Sequence, residues 1–227
     1  MTTFLITGAN RGIGYALTAA LLARGDRVIA TMRDPFKLPD LLKTAPRQQI
    51  VVIGMEITDD RSVARAAAAV DEPIDVLINN AGMIDPGRST ALEADLAVFA
   101  QILAVNTIAP LRVARAFLPH LLRAKKPRIL TLSSQMGALS GSSVGSVAYR
   151  SSKAGVNKAM QCLASDLRPQ GVTVCVVHPG WVRTDMGGEG ADISPEESAN
   201  GLIKLVDGLS LKQTGQFFKW DGSIHPW

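Results

Sequence analysis

Apolar runs rich in β-forming residues alternate with helical patterns along the chain, and this alternation restricts the fold more than any other feature. The helical patterns occupy 16–22, 36–43, 60–70, 93–124, 148–167 and 195–209, and the apolar runs occupy 3–8, 27–33, 50–57, 74–82, 128–134, 173–180 and 215–220. Strict alternation is typical of a parallel sheet covered by helices on both faces. We therefore predict an α/β, doubly wound (Rossmann) fold of about seven strands, with residues 1–227 forming a single dinucleotide-binding domain.

Composition agrees with one compact core and excludes several functional classes. The chain has 227 residues, and single cores grow to about 250 residues before chains divide. A net charge of +4 with scattered Lys and Arg does not indicate nucleic-acid binding. The three histidines lie far apart, so no metal site is expected. Both cysteines, Cys162 and Cys175, lie in apolar contexts and are interpreted as small core residues.

Targeting signals are not evident in the sequence. No segment approaches 18 uninterrupted apolar residues, and the first strand pattern begins within three residues of Met1. We therefore expect neither a membrane span nor a signal peptide, and a cytoplasmic location is the default prediction.

A glycine-rich turn separates the first strand from the first helix, in the order Gly8-Ala9-Asn10-Arg11-Gly12-Ile13-Gly14. Such a turn lets the backbone approach a pyrophosphate, and the free N–H groups at a helix start attract its charge. The G-x-x-x-G-x-G spacing differs from the general G-x-G-x-x-G fingerprint. The glycines could serve only a tight turn, but the strand–turn–helix context favours nucleotide binding.

Tyr149 and Lys153 are four residues apart, which places them on one face of a helix. Ionising a tyrosine near neutral pH requires lowering its pKa from about 10, at a cost of about 4 kcal/mol. One ammonium about 4 Å away supplies a term of that size at an effective dielectric constant of about 20. The spacing is therefore sufficient for a phenolic acid, although a half-buried ring beside a solvated lysine gives the same pattern.

Polar clusters occur where predicted strands end. They are the glycine turn, Asn79-Asn80-Ala81-Gly82, Ser133-Ser134 and Pro179-Gly180. In parallel sheets, ligands bind beyond the carboxyl ends of the strands. The sequence therefore predicts one site built from these clusters.

Six motifs in this order resemble the short-chain dehydrogenase/reductase family over the full chain. They are TGANRGIG at 7–14, NNAG at 79–82, Asn106 in VNTIAP, Ser134 in LSS, YRSSK at 149–153 and PGWVRT at 179–184. Within that family, the chain is most similar to the C-factor and sniffer-like carbonyl reductases. The resemblance implies an NAD(P)-dependent oxidoreductase that interconverts a carbonyl and an alcohol by hydride transfer.

The resemblance also implies a catalytic tetrad of Asn106, Ser134, Tyr149 and Lys153. Tyr149 would pass its proton to the carbonyl oxygen, and Ser134 would polarise that oxygen. Lys153 would hold the nicotinamide ribose and stabilise the tyrosinate, and Asn106 would fix a water that links Lys153 to solvent. Ser133 in place of Ser134 remains an alternative.

Cofactor contacts are implied along the whole strand-end edge. They are Gly8, Asn10, Arg11, Gly12, Ile13, Gly14, Arg33, Glu56, Ile57, Asn79, Ala81, Gly82, Tyr149, Lys153, Pro179, Gly180, Val182 and Thr184. NAD-specific relatives carry an aspartate where this chain has Met32, and Arg33 follows. Arg33 and Arg11 could clamp a 2′-phosphate, which favours NADP(H). NAD(H) is the alternative, because Asp34 could pair with Arg33 or reach a ribose hydroxyl.

Substrate features are less defined. The Gly-rich segment 185–194 predicts a small mobile lid, and candidate pocket walls are Trp181, Met136, Met186 and Leu139. The loop 137–146 makes the serine-to-tyrosine spacing two residues longer than in most relatives, and it either edges the substrate pocket or is merely flexible. A small ketone, aldehyde or quinone is the expected substrate.

Two other functions would use some of the same residues, and the resemblance also bears on assembly. A signalling or morphogenetic protein that binds NAD(P)H with little turnover is the alternative, and the intact tetrad argues against it. An epimerase of sugar nucleotides would need a larger C-terminal region than the 43 residues after Thr184. The family's usual dimer contact, through 93–124 and 148–168, implies a homodimer.

Overall fold

The computed structural model describes residues 1–37, 39–85, 87, 89–140 and 144–227. Seven parallel strands form one sheet in the order β3-β2-β1-β4-β5-β6-β7. The strands are β1 (Thr3–Thr7), β2 (Arg27–Met32), β3 (Ile50–Gly54), β4 (Val76–Asn79), β5 (Arg128–Leu132), β6 (Thr173–His178) and β7 (Phe217–Lys219). This order confirms the predicted doubly wound α/β fold.

Helices cover both faces of the sheet and create two apolar cores. They are α1 (Gly12–Arg24), α2 (Asp40–Thr44), α3 (Asp60–Ala68), α4 (Leu96–Leu103), α5 (Ala109–Leu121), α6 (Val147–Leu167) and α7 (Pro195–Gly208). Successive strand residues point to opposite faces. Phe4 and Ile6 therefore pack with α1 and α7, whereas Leu5 packs with α3, α5 and α6.

Several strands are shorter than the apolar runs that predict them. β3 ends at Gly54 rather than 57, β4 covers Val76–Asn79 rather than 74–82, and β7 covers Phe217–Lys219 rather than 215–220. At the end of β4, the N–H groups of Asn80 and Ala81 donate to the Thr7 hydroxyl instead of continuing the ladder. The apolar residues continue beyond the last hydrogen bond between neighbouring strands. Apolar composition therefore does not locate the end of a strand.

The predicted helix at 36–43 starts four residues late, at Asp40, and Leu38 lies outside the described residues. The Phe36 N–H donates to the Asp34 carboxylate at 3.1 Å, which makes a turn of this segment. Aspartate commonly forms such turns in competition with helix.

The long predicted helix 93–124 is divided, as its prolines suggest, but only at one of them. A π-helical turn, Ala104–Ile108, joins α4 to α5, and Pro110 lies in the first turn of α5. Proline lacks an N–H, and its ring crowds the carbonyl four residues earlier, here that of Asn106. The wider turn accommodates this conflict. Pro119 lies inside α5 without dividing it.

The two cysteines differ in burial, so the prediction that both are core residues is wrong for one of them. Cys175 is buried in β6, where burial raises the pKa of its thiol to about 12. Cys162 is exposed on α6. Met160, Ala164 and Leu167 form the buried side of that helix turn, and residue 162 points away from them because 3.6 residues make a turn.

Among the described residues, one helix, Leu96–Leu121, is long and apolar enough to cross a membrane by length and composition alone. Its window has a mean hydropathy of 1.6 and is 28% buried. Val113, Phe117 and Leu121 on this helix pack in the core beneath the sheet. Core helices pass the same test, so the result is weak evidence for a span.

Candidate active site

The glycine turn forms a cradle that side chains would fill. Gly8 and Gly12 have φ angles of 69° and 54°, a backbone region that favours glycine. A Cβ on Gly14 would lie 2.2 Å from the Gly8 carbonyl oxygen. Arg11 gives the start of α1 no side-chain cap. The turn therefore fits a phosphate group, since its helix-start N–H groups are not taken by a side chain.

The end of β4 locks this turn in place. The Asn80 side-chain amide donates to the carbonyl oxygens of Thr7 at 2.8 Å and Gly8 at 3.1 Å. Asn79, a predicted cofactor contact, instead turns its side chain into the interior, donating to Thr131 Oγ1 at 3.2 Å and the Pro110 carbonyl at 3.3 Å. Its side chain therefore ties β4 to β5 and α5.

Helix α6 brings Tyr149 and Lys153 together. Both are buried, at 8% and 6% exposure, and Lys153 Nζ lies 5.7 Å from the Tyr149 ring centroid. The Lys153 ammonium donates to the Leu132 carbonyl oxygen at 2.8 Å. The predicted pair thus shares one face of α6, against the carboxyl end of β5.

Ser134 completes this group from the turn after β5. Its hydroxyl accepts a hydrogen bond from Met136 N–H at 3.1 Å, and it is near enough to the Tyr149 phenol to lower the pKa of that group. The Ser133 hydroxyl instead donates to Asn157 Oδ1 at 2.5 Å. The geometry therefore favours Ser134 over the alternative Ser133 as the serine beside the phenol.

Asn106 lies on the π-helical turn and joins the loop after β4 to α6. Its Oδ1 accepts from Met83 N–H at 2.9 Å, and its Nδ2 donates to the Met83 carbonyl at 2.8 Å and to Ser152 Oγ at 2.9 Å. The Ser152 hydroxyl in turn donates to the Tyr149 carbonyl at 2.7 Å. A Cβ on Gly82 would lie 3.3 Å from Asn106 Oδ1 and 3.8 Å from Lys153 Nζ. All four predicted catalytic residues therefore meet at one place.

Burial governs the ionisation of the two central groups. It raises the pKa of the Tyr149 phenol, against the smaller opposing effect of the Ser134 hydrogen bond. It also lowers the pKa of the Lys153 ammonium to about 8. The pKa of the phenol is therefore raised, not lowered towards neutrality as expected, because desolvation is its largest cause and the Lys153 ammonium bonds to the Leu132 carbonyl.

The predicted phosphate clamp is only partly assembled. Arg33 is exposed after β2, but Arg11 Nη1 lies 2.7 Å from Asp185 Oδ2 in an exposed ion pair. Asp34 contacts neither arginine among the ion pairs of the described residues, and its Oδ2 lies 3.7 Å from Lys37 Nζ. Lys37 is a further cation beside this turn that the sequence reasoning missed, although its place four residues after Arg33 was a signal.

The segment after β6 forms a lid over the glycine turn. Val182 and Ile193 pair as an isolated β-bridge, and the Trp181 indole N–H donates to the Gly187 carbonyl at 2.9 Å. A Cβ on Gly12 would lie 3.3 Å from Thr184 Cγ2. The lid is small, as expected, but its internal hydrogen bonds give it a defined shape.

Other predicted residues lie nearby with separate roles. The Glu56 carboxylate accepts from the N–H and hydroxyl of Thr58, and Ile57 packs against the core. Among the candidate pocket walls, Leu139 is 84% exposed, whereas Trp181 and Met186 are 48% and 40% exposed. Residues 141–143 of the loop 137–146 lie outside the described residues, so its role stays a prediction.

The doubly wound sheet and the phosphate cradle define a dinucleotide-binding α/β protein. A family model described as short chain dehydrogenase matches residues 2–192. The chain therefore belongs to the short-chain dehydrogenase/reductase family of NAD(P)-dependent oxidoreductases, which confirms the resemblance seen in the sequence.

Known proteins of this family resemble the chain closely. C-signal of Myxococcus xanthus is 41% identical over 157 residues, which are 68% of this chain and 93% of C-signal. The NADPH-bound carbonyl reductase from chicken fatty liver is 34% identical, with a TM-score of 0.93 over 100% of this chain and 99% of that one. The carbonyl reductase Sniffer of D. melanogaster is 30% identical, with a TM-score of 0.92 over 100% of both chains.

Proposed function

We propose that this protein is an NADPH-dependent reductase that interconverts a carbonyl and an alcohol, with Tyr149 as the acid and base. One observation carries the proposal: a buried phenol shares a helix face with a buried lysine, and the Ser134 hydroxyl is near enough to this phenol to lower its pKa. This group stands at the carboxyl edge of the sheet, where parallel folds bind their ligands.

Residues of this chain would hold the cofactor at that edge. The turn of Gly8, Gly12 and Gly14 suits a pyrophosphate, because the N–H groups at the start of α1 receive no side-chain cap from Arg11. When bound, the nicotinamide supplies the hydride. Thr184 packs over Gly12 and would close the cleft from the lid side.

Proton transfer falls to α6 and the turn after β5. In reduction, Tyr149 would donate its proton to the substrate oxygen, and the Ser134 hydroxyl would donate a hydrogen bond to the same atom. The raised pKa of the phenol keeps it protonated, and therefore able to donate, at neutral pH. The Lys153 charge would stabilise the tyrosinate. Asn106, beside Lys153, would help to order a water that links the lysine to solvent.

Preference for NADP(H) is supported by charge at the end of β2. Arg33 and Lys37 are both exposed there, and guanidinium and ammonium groups bind phosphate well. The chicken carbonyl reductase binds NADPH. Asp34, the acid that would favour NAD(H), is engaged with the Phe36 N–H and Lys37.

A homodimer through α4, α5 and α6 is supported by exposed apolar side chains. Leu96 at the start of α4 is 75% exposed, and Ile108, directly before α5, is 50% exposed. Light scattering should give a mass twice that of the 24.1 kDa monomer. In Ile108→Glu the measured mass should fall to that of the monomer. Ile224→Glu, an equally apolar exposed site near the C-terminus, should leave the mass unchanged.

A panel of small ketones, aldehydes and quinones, assayed with NADPH and with NADH, tests the proposed function. We expect turnover of at least one class with NADPH and a lower kcat/KM with NADH. An enzyme that binds NADPH yet turns over no carbonyl, in either direction, would contradict the proposal.

A further inference from the structure

Ser134 is carried by a turn rather than by a strand. β5 ends at Leu132, and Ser134 caps a single 3₁₀ turn, Gln135–Gly137. A serine inside a strand is fixed by the ladder on both sides, whereas a turn residue is fixed by whatever holds the turn. The position of the Ser134 hydroxyl therefore depends on how this turn is docked on α6.

One side chain holds both ends of the turn. Asn157 Oδ1 accepts from the Ser133 hydroxyl at 2.5 Å, and Asn157 Nδ2 donates to the Gly137 carbonyl at 3.4 Å. Asn157 lies one helical turn after Lys153 and is 4% exposed. A buried amide is costly without partners, and here the partners are the two residues that bracket the turn.

The turn is also pressed directly against the α6 backbone. A Cβ on Gly137 would lie 2.7 Å from the Lys153 carbonyl carbon and 2.9 Å from Ala154 N. Only glycine permits this approach, since real Cβ contacts are not so short. The docking of Ser133 to Gly137 is thus set at the turn of α6 that carries Lys153.

We propose that Asn157 is a positioning residue: by clamping Ser133 and Gly137 it sets the distance between the Ser134 hydroxyl and the Tyr149 phenol. The inference rests on the proposed function. Asn157 contacts neither substrate nor cofactor in this role and acts only through Ser134.

A double-mutant cycle tests this role. Asn157→Leu keeps the approximate volume and removes both hydrogen bonds, and Ser134→Ala removes the hydroxyl itself. We expect kcat to fall at least about 10-fold in each, since losing one oxyanion donor typically costs about 10²-fold or more. The double variant should be no slower than Ser134→Ala, because coupled residues are not additive. The Kd for NADPH should stay within about twofold of wild type.

The pH profile of alcohol oxidation supplies a readout that structural damage would not move. Oxidation needs the phenolate, and the Ser134 hydrogen bond lowers the pKa of Tyr149. The limb on which the oxidation rate rises with pH should therefore move to higher pH in Asn157→Leu and in Ser134→Ala alike. Val156→Ala, which removes apolar contacts from the same helix, should lower thermal stability without moving that limb.

Gly137→Ala provides a second route if Asn157→Leu does not fold. Its methyl must displace the turn from Lys153, so it should show the same non-additivity with Ser134→Ala. Full kcat in folded Asn157→Leu or Gly137→Ala, or losses that multiply with Ser134→Ala, would overturn the inference. Full turnover in Tyr149→Phe would instead overturn the proposed function, and this inference with it.

Discussion

At the scale of single residues, burial has opposite effects on the two ionisable groups of α6. It raises the pKa of the Tyr149 phenol and lowers that of the Lys153 ammonium to about 8. Both shifts favour the neutral form, as desolvation does. At neutral pH the phenol keeps its proton, whereas the lysine is charged but close to its titration point.

Carbonyl reduction should therefore lose rate as the pH rises through about 8, because Lys153 loses its charge above its pKa. Lys153→Arg should be slower overall but keep its charge, since arginine stays protonated in proteins. We expect the limb near this pH in kcat/KM to be present in wild type and absent in the variant. A limb of the same midpoint in both enzymes would assign the titration to another group.

Arg33 is the residue to which the proposed function assigns cofactor discrimination. Arg33→Ala should weaken NADPH far more than NADH, by a few kcal/mol at most, because a charge-assisted pair to phosphate is lost. Fluorescence titration with both cofactors measures this. Arg47→Ala is the control. Arg47 is exposed and lies just before β3, at the amino ends of the strands, whereas Arg33 follows the carboxyl end of β2. An equal loss for both cofactors would remove the phosphate-clamp argument.

At the scale of elements, the lid and the glycine turn are joined by the Arg11–Asp185 ion pair. Both side chains are mostly exposed, at 65% and 79%, so the pair contributes little to stability, about 0–1 kcal/mol. The ion pair matters more for cofactor binding, because Asp185 pairs with Arg11, which the sequence analysis assigns to the cofactor phosphate.

Asp185→Asn should tighten NADPH binding several-fold, and NADH binding less, because a negative charge beside a polyanion site is removed and Arg11 is released. The thermal midpoint should barely change. Asp192→Asn removes a charge from the same segment and should leave both affinities near wild type. Weaker NADPH binding in Asp185→Asn would show that the ion pair closes the cleft instead of competing with the phosphate.

Elements and site residues differ in how far the sequence predicts them. The apolar runs predicted every strand. A strand with one buried face leaves an apolar pattern of period two, and a strand buried on both faces leaves a continuous apolar run. Asn157 was missed because its partner Ser133 is 24 residues away, and a polar residue in a helical pattern usually indicates a solvated face. The Arg11–Asp185 pair spans 174 residues, and no local pattern reports such a contact.

At the scale of the whole molecule, the last residues return to the sheet. Ile224 pairs with Phe218 as an antiparallel bridge, and the His225 and Trp227 rings lie 4.5 and 5.5 Å from the Phe217 ring. His178, at the end of β6, is buried beneath this tail, and its ring lies 6.0 Å from that of His225. The tail thus covers a histidine that would otherwise be hydrated.

His178 should make the fold sensitive to acid. Burial, with the nearby charges of His225 and Lys219, lowers its pKa to about 4 from the ordinary 6.5. Between these values the unfolded chain binds more protons, so stability falls as the pH falls, by about 3 kcal/mol in total. Urea unfolding between pH 7 and 4.5 should show this loss in wild type and much less in His178→Gln. The same acid loss in both proteins would contradict the assignment.

The most direct test of the whole account is single-turnover hydride transfer in Tyr149→Phe, with a carbonyl that the wild-type enzyme reduces. The variant keeps the ring and loses only the hydroxyl. We predict that NADPH binds with nearly unchanged affinity while its oxidation becomes too slow to follow. Rapid oxidation of bound NADPH by Tyr149→Phe would show that another group passes the proton.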